Sequence, residues 1–342
     1  MRTFETTPGP HLPAPRTVAG VMTQVLLALL PGVIVHTAYF GPGVLVQILL
    51  ASGFALGFEA AMLRLRGRPL APFLSDYSAV VAAVLFALCL PPLAPWWLAA
   101  IGMFFAIVIA KHLYGGLGHN VFNPAMVGYV VVLVSFPLEM TQWPLPRPLA
   151  EWTPGIGAAL SSIFSGGLAV PAGIDAVTGA TPLDSLKTGL DTGRSIPVIR
   201  EAPIYGQGGG VGWSALALAY GLGGLYLLWR RVITWHVPVA VLGSVAALTL
   251  LPWLLAPAQN ASPMQHLVAG GLVLGAFFIA TDPVSGCTTV RGRLLFGVGV
   301  GVLTLVIRRW GGYPDGVAFA VLLMNMAAPL IDRGTRPRVV GR

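Results

Sequence analysis

The most chemically suggestive pattern in the chain lies near its middle, in Asp175-Ala176-Val177-Thr178-Gly179-Ala180-Thr181-Pro182-Leu183-Asp184. Small or hydroxylated residues precede Thr181, so little side-chain bulk shields its hydroxyl. Threonine at an N-cap, proline at the first helical position and an acid three residues on together read as a helix start of the capping-box kind. The same hydroxyl could serve as an attachment point for a phosphate-bearing group. The two readings are compatible. A phosphoester on an N-cap oxygen would sit at the positive end of the helix dipole, among backbone N–H groups that lack intrahelical partners. Spacing alone leaves both open.

Three further stretches place polar groups among apolar ones. The first runs from Lys111 to Met126 and includes Gly115-Gly116-Leu117-Gly118-His119-Asn120-Val121-Phe122-Asn123-Pro124. Its glycines permit close backbone approach, and Asn120 and Asn123 could hydrogen-bond the edge of a heterocycle. An ordinary turn between spans accounts for the same residues. His112 and His119 have no acid beside them in sequence, which argues against a metal site. The second stretch, Thr281-Asp282-Pro283-Val284-Ser285-Gly286, reads as a helix stop in which Asp282 caps the turn or pairs with Arg291 or Arg293. An acid there could also meet a cation or cofactor. The third, Gly311-Gly312-Tyr313-Pro314-Asp315-Gly316, leads into a final apolar run in which Asn325 must face protein or water.

Glu59 and Asp76 lie in or beside apolar runs, and acids at membrane depth are functional candidates by default. Pairing with the nearby Arg64, Arg66 and Arg68 is the plainer account. The two cysteines, Cys89 and Cys287, are far apart and form no CxxC. They cannot supply the four thiolates of a usual iron–sulfur cluster and read as core residues. No Ser-His-Asp order, Walker motif, dinucleotide fingerprint or HExxH is present, which argues against ATP-driven or NAD-binding chemistry in this chain.

The elements that must position these groups are set by composition. Hydrophobic residues make up 56% of the 342 and charged residues only 9%, against about 25% charged in soluble domains. The chain reads as a polytopic membrane protein in contact with the lipid bilayer. Its net charge of +8 is attributed to topology rather than nucleic acid, since no basic stripe is interleaved with aromatics. Apolar runs fall at 20–39, 43–63, 77–90, 95–110 and 121–138, and again at 212–229, 233–255, 266–281, 294–307 and 316–331. Crossing the hydrocarbon takes about 20 helical residues, so the shorter runs must borrow flanking residues or form broken helices buried in protein. The expected fold is all-α, with about ten transmembrane helices. Residues 1–19 form a polar tail without a signal-peptide core, 20–138 a first five-helix half, 139–211 a polar segment, 212–331 a second five-helix half and 332–342 a second tail. An odd number of spans per half implies inverted halves, as in inverted-repeat transporters.

Orientation follows from the basic residues. With both termini in the cytoplasm, fourteen of the 20 Lys and Arg residues lie inside, among them Arg64, Arg66, Arg68, Lys111, Arg230, Arg231, Arg291 and Arg293. Of those outside, only Arg308 and Arg309 fall in a short loop, and short loops are where the rule counts most. The 139–211 segment is then periplasmic.

In combination these motifs resemble the RnfD family, the D subunits of Rnf electron-transport complexes, and more distantly the NqrB subunits of the sodium-pumping NADH:quinone reductase. Asp175-x-x-Thr178-Gly179-Ala180-Thr181 is similar to the family's Asp-x-x-Ser/Thr-Gly-Ala-Thr flavinylation motif, with Thr178 where serine is common. Gly115 to Tyr129, Ala280 to Ser285, Gly292-Arg293 and Gly312 to Gly316 resemble the family in the same order.

The resemblance implies that Thr181 carries FMN through a phosphoester, placed there by a periplasmic flavin transferase. It implies a complex in the bacterial inner membrane, with A, B, C, E and G as its other Rnf subunits, that couples electron transfer between ferredoxin and NAD to movement of Na+ or H+. This chain would be a relay, not an enzyme on its own. Its flavin would exchange electrons with the covalent FMN of the periplasmic RnfG protein, and an iron–sulfur site held by the paired A and E subunits would carry electrons across the membrane. A non-covalent riboflavin is a further implied cofactor, with Gly116, Asn120 and Asn123 in its candidate wall. Glu59, Asp76 and Asp282 are the candidates for an ion path. The competing expectation is a stand-alone inverted-repeat channel or transporter for a small polar solute, without redox activity.

Overall fold

The computed structural model describes residues 17–166, 177–206 and 208–336. Asp175, at the head of the central motif, lies outside the described residues. Helices dominate throughout. Among the described residues, six are long and apolar enough to cross a membrane, and four shorter apolar helices accompany them. The chain is an all-helical, multi-pass membrane protein.

The first half opens with α1 (Val18–Phe40), capped by Thr17, whose side chain accepts from Gly20 N at 3.1 Å. Gly41, at φ +89°, ends it and turns the chain into α2 (Gly43–Leu65). The short α3 (Leu70–Leu74) leads to α4 (Ser78–Cys89), and α5 (Trp96–Met103) continues as a π-helix over Phe104–His112. The apolar run expected at 95–110 therefore extends through Lys111 and His112, and both are buried. Asn123 caps α6 (Pro124–Ser135) by accepting from Met126 N at 3.2 Å, and Pro124 occupies the first position.

The polar segment is more structured than its composition suggests. After α7 (Pro137–Thr141), β1 (Trp143–Pro144) pairs antiparallel with β2 (Thr178–Gly179), in the register Trp143 opposite Gly179 and Pro144 opposite Thr178. Between them, α8 (Ile156–Ser165) packs against α2. Next come α9 (Pro182–Asp191) and α10 (Ile196–Arg200). Leu186, Ile196, Ile199, Ile204 and Tyr205 build a small core of their own here.

In the second half, α11 (Trp213–Trp229) and α12 (His236–Leu255) are continuous, but the run at 266–281 is broken. It is divided into α13 (Pro263–Val268), a kink with Gly270 at φ +73°, and α14 (Leu272–Leu274), which runs on as a π-helix over Gly275–Ile279. Backbone groups freed at membrane depth need partners from within the protein. Arg308 supplies them, donating to His266 O at 2.6 Å and Ala269 O at 3.3 Å, while Asp315 accepts from Gly271 N at 2.8 Å. The half closes with α15 (Val290–Trp310) and α16 (Val317–Thr335).

The two halves repeat one packing pattern. In each, the second helix packs on the fourth: α2 on α5 and its π-extension, and α12 on α15. The fourth packs on the fifth: α5 on α6, and α15 on α16. Like elements also meet across the halves, α1 against α11 and α6 against α16. These are the contacts expected of halves related by an approximate two-fold axis.

Candidate functional site

Thr181 is the N-cap of α9. Its side-chain oxygen accepts from Asp184 N at 3.2 Å, and Pro182 occupies the first helical position. The helix-start reading of the sequence is therefore correct. Thr178 and Gly179 lie in β2, and Leu145 N donates to Val177 O at 2.9 Å. A side chain at position 179 would come within 2.6 Å of the end of the Leu145 side chain, so glycine lets Leu145 pack close against β2. Ala180 is exposed.

Thr181 through Asp184 form part of the wall of a cavity of about 300 Å³, at the lower end of the size range of small-molecule sites. Aromatic and apolar groups line the rest: Tyr129, Trp143, Trp213, Tyr220 and Tyr313, with Leu88 and Leu216. Gly270, Gly271 and the Gly312–Asp315 turn complete it, so two separate sequence motifs meet at one site. Lys187, on α9, donates to the backbone oxygens of Gly311 and Tyr313, which fastens the Thr181 helix to that turn. Burial raises the Asp184 carboxyl above its usual range, opposed by the nearby Lys187 ammonium. Threonine oxygen, helix N-terminus and aromatic cavity suit a phosphate-tethered planar heterocycle: N–H groups for the anion and aromatic faces for the ring.

A second cavity, of about 150 Å³, collects Asn120, Asn123 and Asp282 beside Ser78, Lys111 and Thr281. Gly116 is not among the residues lining it. It sits at φ +101° near Arg66. Asn120 donates to Phe122 O at 3.1 Å. Asn123 N donates to Asn325 Oδ1 at 3.1 Å, Asn123 Nδ2 donates to Ile279 O at 3.4 Å, and Asn325 Nδ2 donates to Ser285 O at 3.0 Å. Asn325, on α16, thus joins the N-cap of α6 to the turn at Ser285, and Asn123 itself reaches the end of the second π-helix at Ile279. Asp282 accepts from Val284 N at 3.2 Å and Ser285 Oγ at 2.7 Å, while Arg293 donates to Cys287 O instead. Asp282 is therefore held by its own turn rather than by Arg293.

Glu59 does not pair with the arginine loop that follows α2. Its partners are Lys111 Nζ, 2.8 Å from each carboxylate oxygen, and His112 Nε2 at 3.2 Å. Lys111 also donates to Ser78 Oγ at 2.9 Å, and Ser78 donates to Asp76 through N at 2.7 Å and Oγ at 2.6 Å. Of the arginines, only Arg66 reaches this group among the described residues, donating to His112 O at 3.4 Å. An acid does accompany His112 in space, although none does in sequence. Lys111 and Arg308, counted above as loop charges, are both buried in ion pairs. Removing one from each side leaves the charge bias as strong as before.

One end of the Thr181 cavity was not foreseen from the sequence. His36 on α1, Trp143 on β1 and Tyr220 on α11 all line it. A lone histidine inside an apolar span was the available signal.

Fold and site together define a multi-pass helical membrane protein in which a structured polar segment closes a cavity at one end of the bundle. The chain belongs to the NQR2, RnfD, RnfE family, whose model matches residues 5–341. It is 54% identical over 328 residues to the D subunit of the ion-translocating oxidoreductase complex of Aeromonas hydrophila subsp. hydrophila, covering 94% of each chain. It is 51% identical over 346 residues to the D subunit of the same complex from Salmonella paratyphi A, covering 99% of this chain and 98% of the relative. The corresponding D subunit of Vibrio cholerae serotype O1 is 51% identical over 339 residues, covering 97% of each.

Proposed function

We propose that this chain is the D subunit of an Rnf-type ion-translocating oxidoreductase complex, relaying electrons through an FMN joined to Thr181 by a phosphoester. The observation that carries this reading is the placement of Thr181 at a helix N-terminus on the wall of the aromatic cavity. When bound, the flavin supplies the electron-carrying chemistry, and the protein supplies position and electrostatics. Thr181 would tether the phosphate beside the N–H groups of the first turn of α9. Trp143, Trp213 and Tyr313 would exclude water from the ring.

The relay connects to the periplasmic RnfG protein on one side and to the iron–sulfur site of the A and E subunits on the other, with the B and C subunits completing the complex. The termini lie in the cytoplasm and the flavin-bearing segment in the periplasm, where a flavin transferase can reach it. The charge bias of the short loops supports that orientation. Asn120 and Asn123 border the second cavity, the candidate place for a non-covalent riboflavin; at about 150 Å³ it is smaller than the usual small-molecule site, so such a ligand would require it to widen. Glu59, Asp76 and Asp282 remain candidates for Na+ or H+ passage, since Lys111 and Ser78, the middle members of the chain Glu59–Lys111–Ser78–Asp76, line that cavity beside Asp282.

The test is co-expression with a flavin transferase, full denaturation and inspection of the protein band for flavin fluorescence, beside Thr181→Val. Fluorescence that survives denaturation and is lost in the variant is the expected result. No fluorescence on the wild-type chain, with RnfG labelled in the same cells, would return Thr181 to the role of a cap and favour a transporter without redox activity.

A further inference from the structure

The Thr181 cavity has a polar end that neither Thr181 nor the aromatic lining explains. His36 is 1% exposed and Tyr220 is 6% exposed. Both side chains line the cavity. Neither ring nitrogen of His36 nor the hydroxyl of Tyr220 has a hydrogen-bond partner among the described residues. Buried polar groups are nearly always paired, so unpaired atoms on two facing helices at one cavity point to a ligand.

Their placement is built into the helix contact. Ala28, Gly32, His36 and Phe40 recur at four-residue spacing and are all buried on α1, forming one stripe. A side chain at Gly32 would run into the Tyr220 ring, and one at Gly223 into Ala28 O. Small residues thus let α1 and α11 approach closely, which sets the Tyr220 ring against α1 one turn from His36. Phe40 and Trp143 hold the His36 ring from the other side, with centroids at 5.2 and 6.1 Å.

We propose that His36 and Tyr220 are the polar contacts of the isoalloxazine ring of the Thr181-bound flavin, and that they raise its reduction potential. The inference rests on the attachment reading above. A neutral imidazole offers one donor and one acceptor, and a phenol offers both. The pyrimidine part of the ring presents carbonyl oxygens and ring nitrogens that accept, and an N–H that donates. Reduction increases electron density on the acceptors, so a bond donated by Tyr220 or His36 is stronger to the reduced ring. The donors therefore favour reduction. They act as positioning and tuning residues, with the redox chemistry left to the cofactor.

The experiment uses the full chain loaded by a flavin transferase, with Tyr220→Phe, His36→Leu and His36→Gln. Covalent fluorescence per protein should equal wild type in all three, because Thr181 is untouched. In a dithionite titration followed by flavin absorption, Tyr220→Phe and His36→Leu should each weaken reduction by about tenfold, roughly 30 mV for a two-electron couple. His36→Gln, which keeps a donor and an acceptor, should stay nearer to wild type than His36→Leu. In the flavin-free Thr181→Val background, Tyr220→Phe should melt no lower than its parent. In the loaded chain it should melt lower.

Midpoints within twofold of wild type in both Tyr220→Phe and His36→Leu, with fluorescence intact, would overturn the inference and leave the attachment standing. Equal melting shifts with and without flavin would mean that water satisfies these atoms, which also overturns it. A wild-type chain without covalent flavin removes both readings. Should His36→Leu fail to fold, Tyr220→Phe decides the matter, since it removes only a hydroxyl.

Discussion

Lys111 Nζ lies 2.8 Å from both carboxylate oxygens of Glu59, and the two side chains are 3% and 2% exposed. The pair joins α2 to the π-helical end of α5 across 52 residues of sequence. Burying two charges costs several kcal/mol per ion, offset only by close geometry and additional hydrogen bonds. Here Ser78 Oγ and His112 Nε2 provide the additional contacts.

Breaking one side of this pair should therefore be worse than removing it. Glu59→Gln leaves Lys111 buried and without a counter-charge, and should cost about 3–5 kcal/mol. Glu59→Leu with Lys111→Met should recover most of that loss. Thermal unfolding of the purified chain in detergent checks both. If Glu59→Gln melts like wild type, the pair contributes nothing to stability. Redox-driven ion uptake by assembled complexes carrying the double variant then asks whether the pair also serves the ion path.

Asn325 should hold the two halves together. Its Oδ1 accepts from Asn123 N at 3.1 Å and its Nδ2 donates to Ser285 O at 3.0 Å. The first bond uses the backbone N–H of residue 123, so only a change at position 325 removes it. Asn325→Ala should cost about 1–3 kcal/mol, because a buried donor and a buried acceptor lose their partner. Thermal unfolding in detergent at the wild-type midpoint would mean that the link is incidental.

How far the sequence reveals this arrangement depends on the range of the interaction. Thr181, Pro182 and Asp184 announce a helix start because a cap is a local device, and the structure has that cap. The ten apolar runs all carry helix because hydropathy is local too. The partner of Glu59 was not legible. Three arginines stand within ten residues of it in sequence, yet burial of Lys111 at the end of a π-helix decides the pairing. His36 and Tyr220 were hidden for a similar reason. Each is a lone polar group in an apolar run, and only the α1–α11 contact brings them to one cavity. The break at Gly270 was partly visible as a short apolar run with adjacent glycines. Its repair by Arg308 was not, since that residue reads as a loop charge.

The raised Asp184 carboxyl gives a pH signature. Burial is the larger cause and Lys187 opposes it. A folded-state pKa above the unfolded value means that the folded chain binds the proton more tightly. That contribution is full below the ordinary aspartate range, about pH 3.9, and is lost as pH rises through the raised value. At neutral pH the charged Asp184 is therefore a liability, and Asp184→Asn should raise the melting temperature there. The advantage should shrink as pH falls through the raised value, where wild type is itself protonated. An advantage that persists unchanged at low pH would show that another effect, such as the helix dipole, dominates.

Arg308 holds the broken helix together, and its geometry makes a conservative replacement inadequate. Its guanidinium reaches His266 O, Ala269 O and, at 3.1 Å, Asp315 Oδ1, while Asp315 Oδ2 takes Gly271 N. A planar fork with several donors can serve carbonyls and a carboxylate at once, whereas a lysine ammonium is a point charge on a flexible stem. Arg308→Met should cost about 2–3 kcal/mol. That is below the 3–5 of a fully buried pair because Asp315 is 27% exposed. Arg308→Lys should restore less than half of it. Hydrogen exchange across Pro263–Leu274 should rise in both variants, since the carbonyls of His266 and Ala269 lose their donor and Asp315, which holds the Gly271 N–H, loses its anchor. Protection at wild-type level in Arg308→Lys would mean that charge alone holds the break, and that the fork is dispensable.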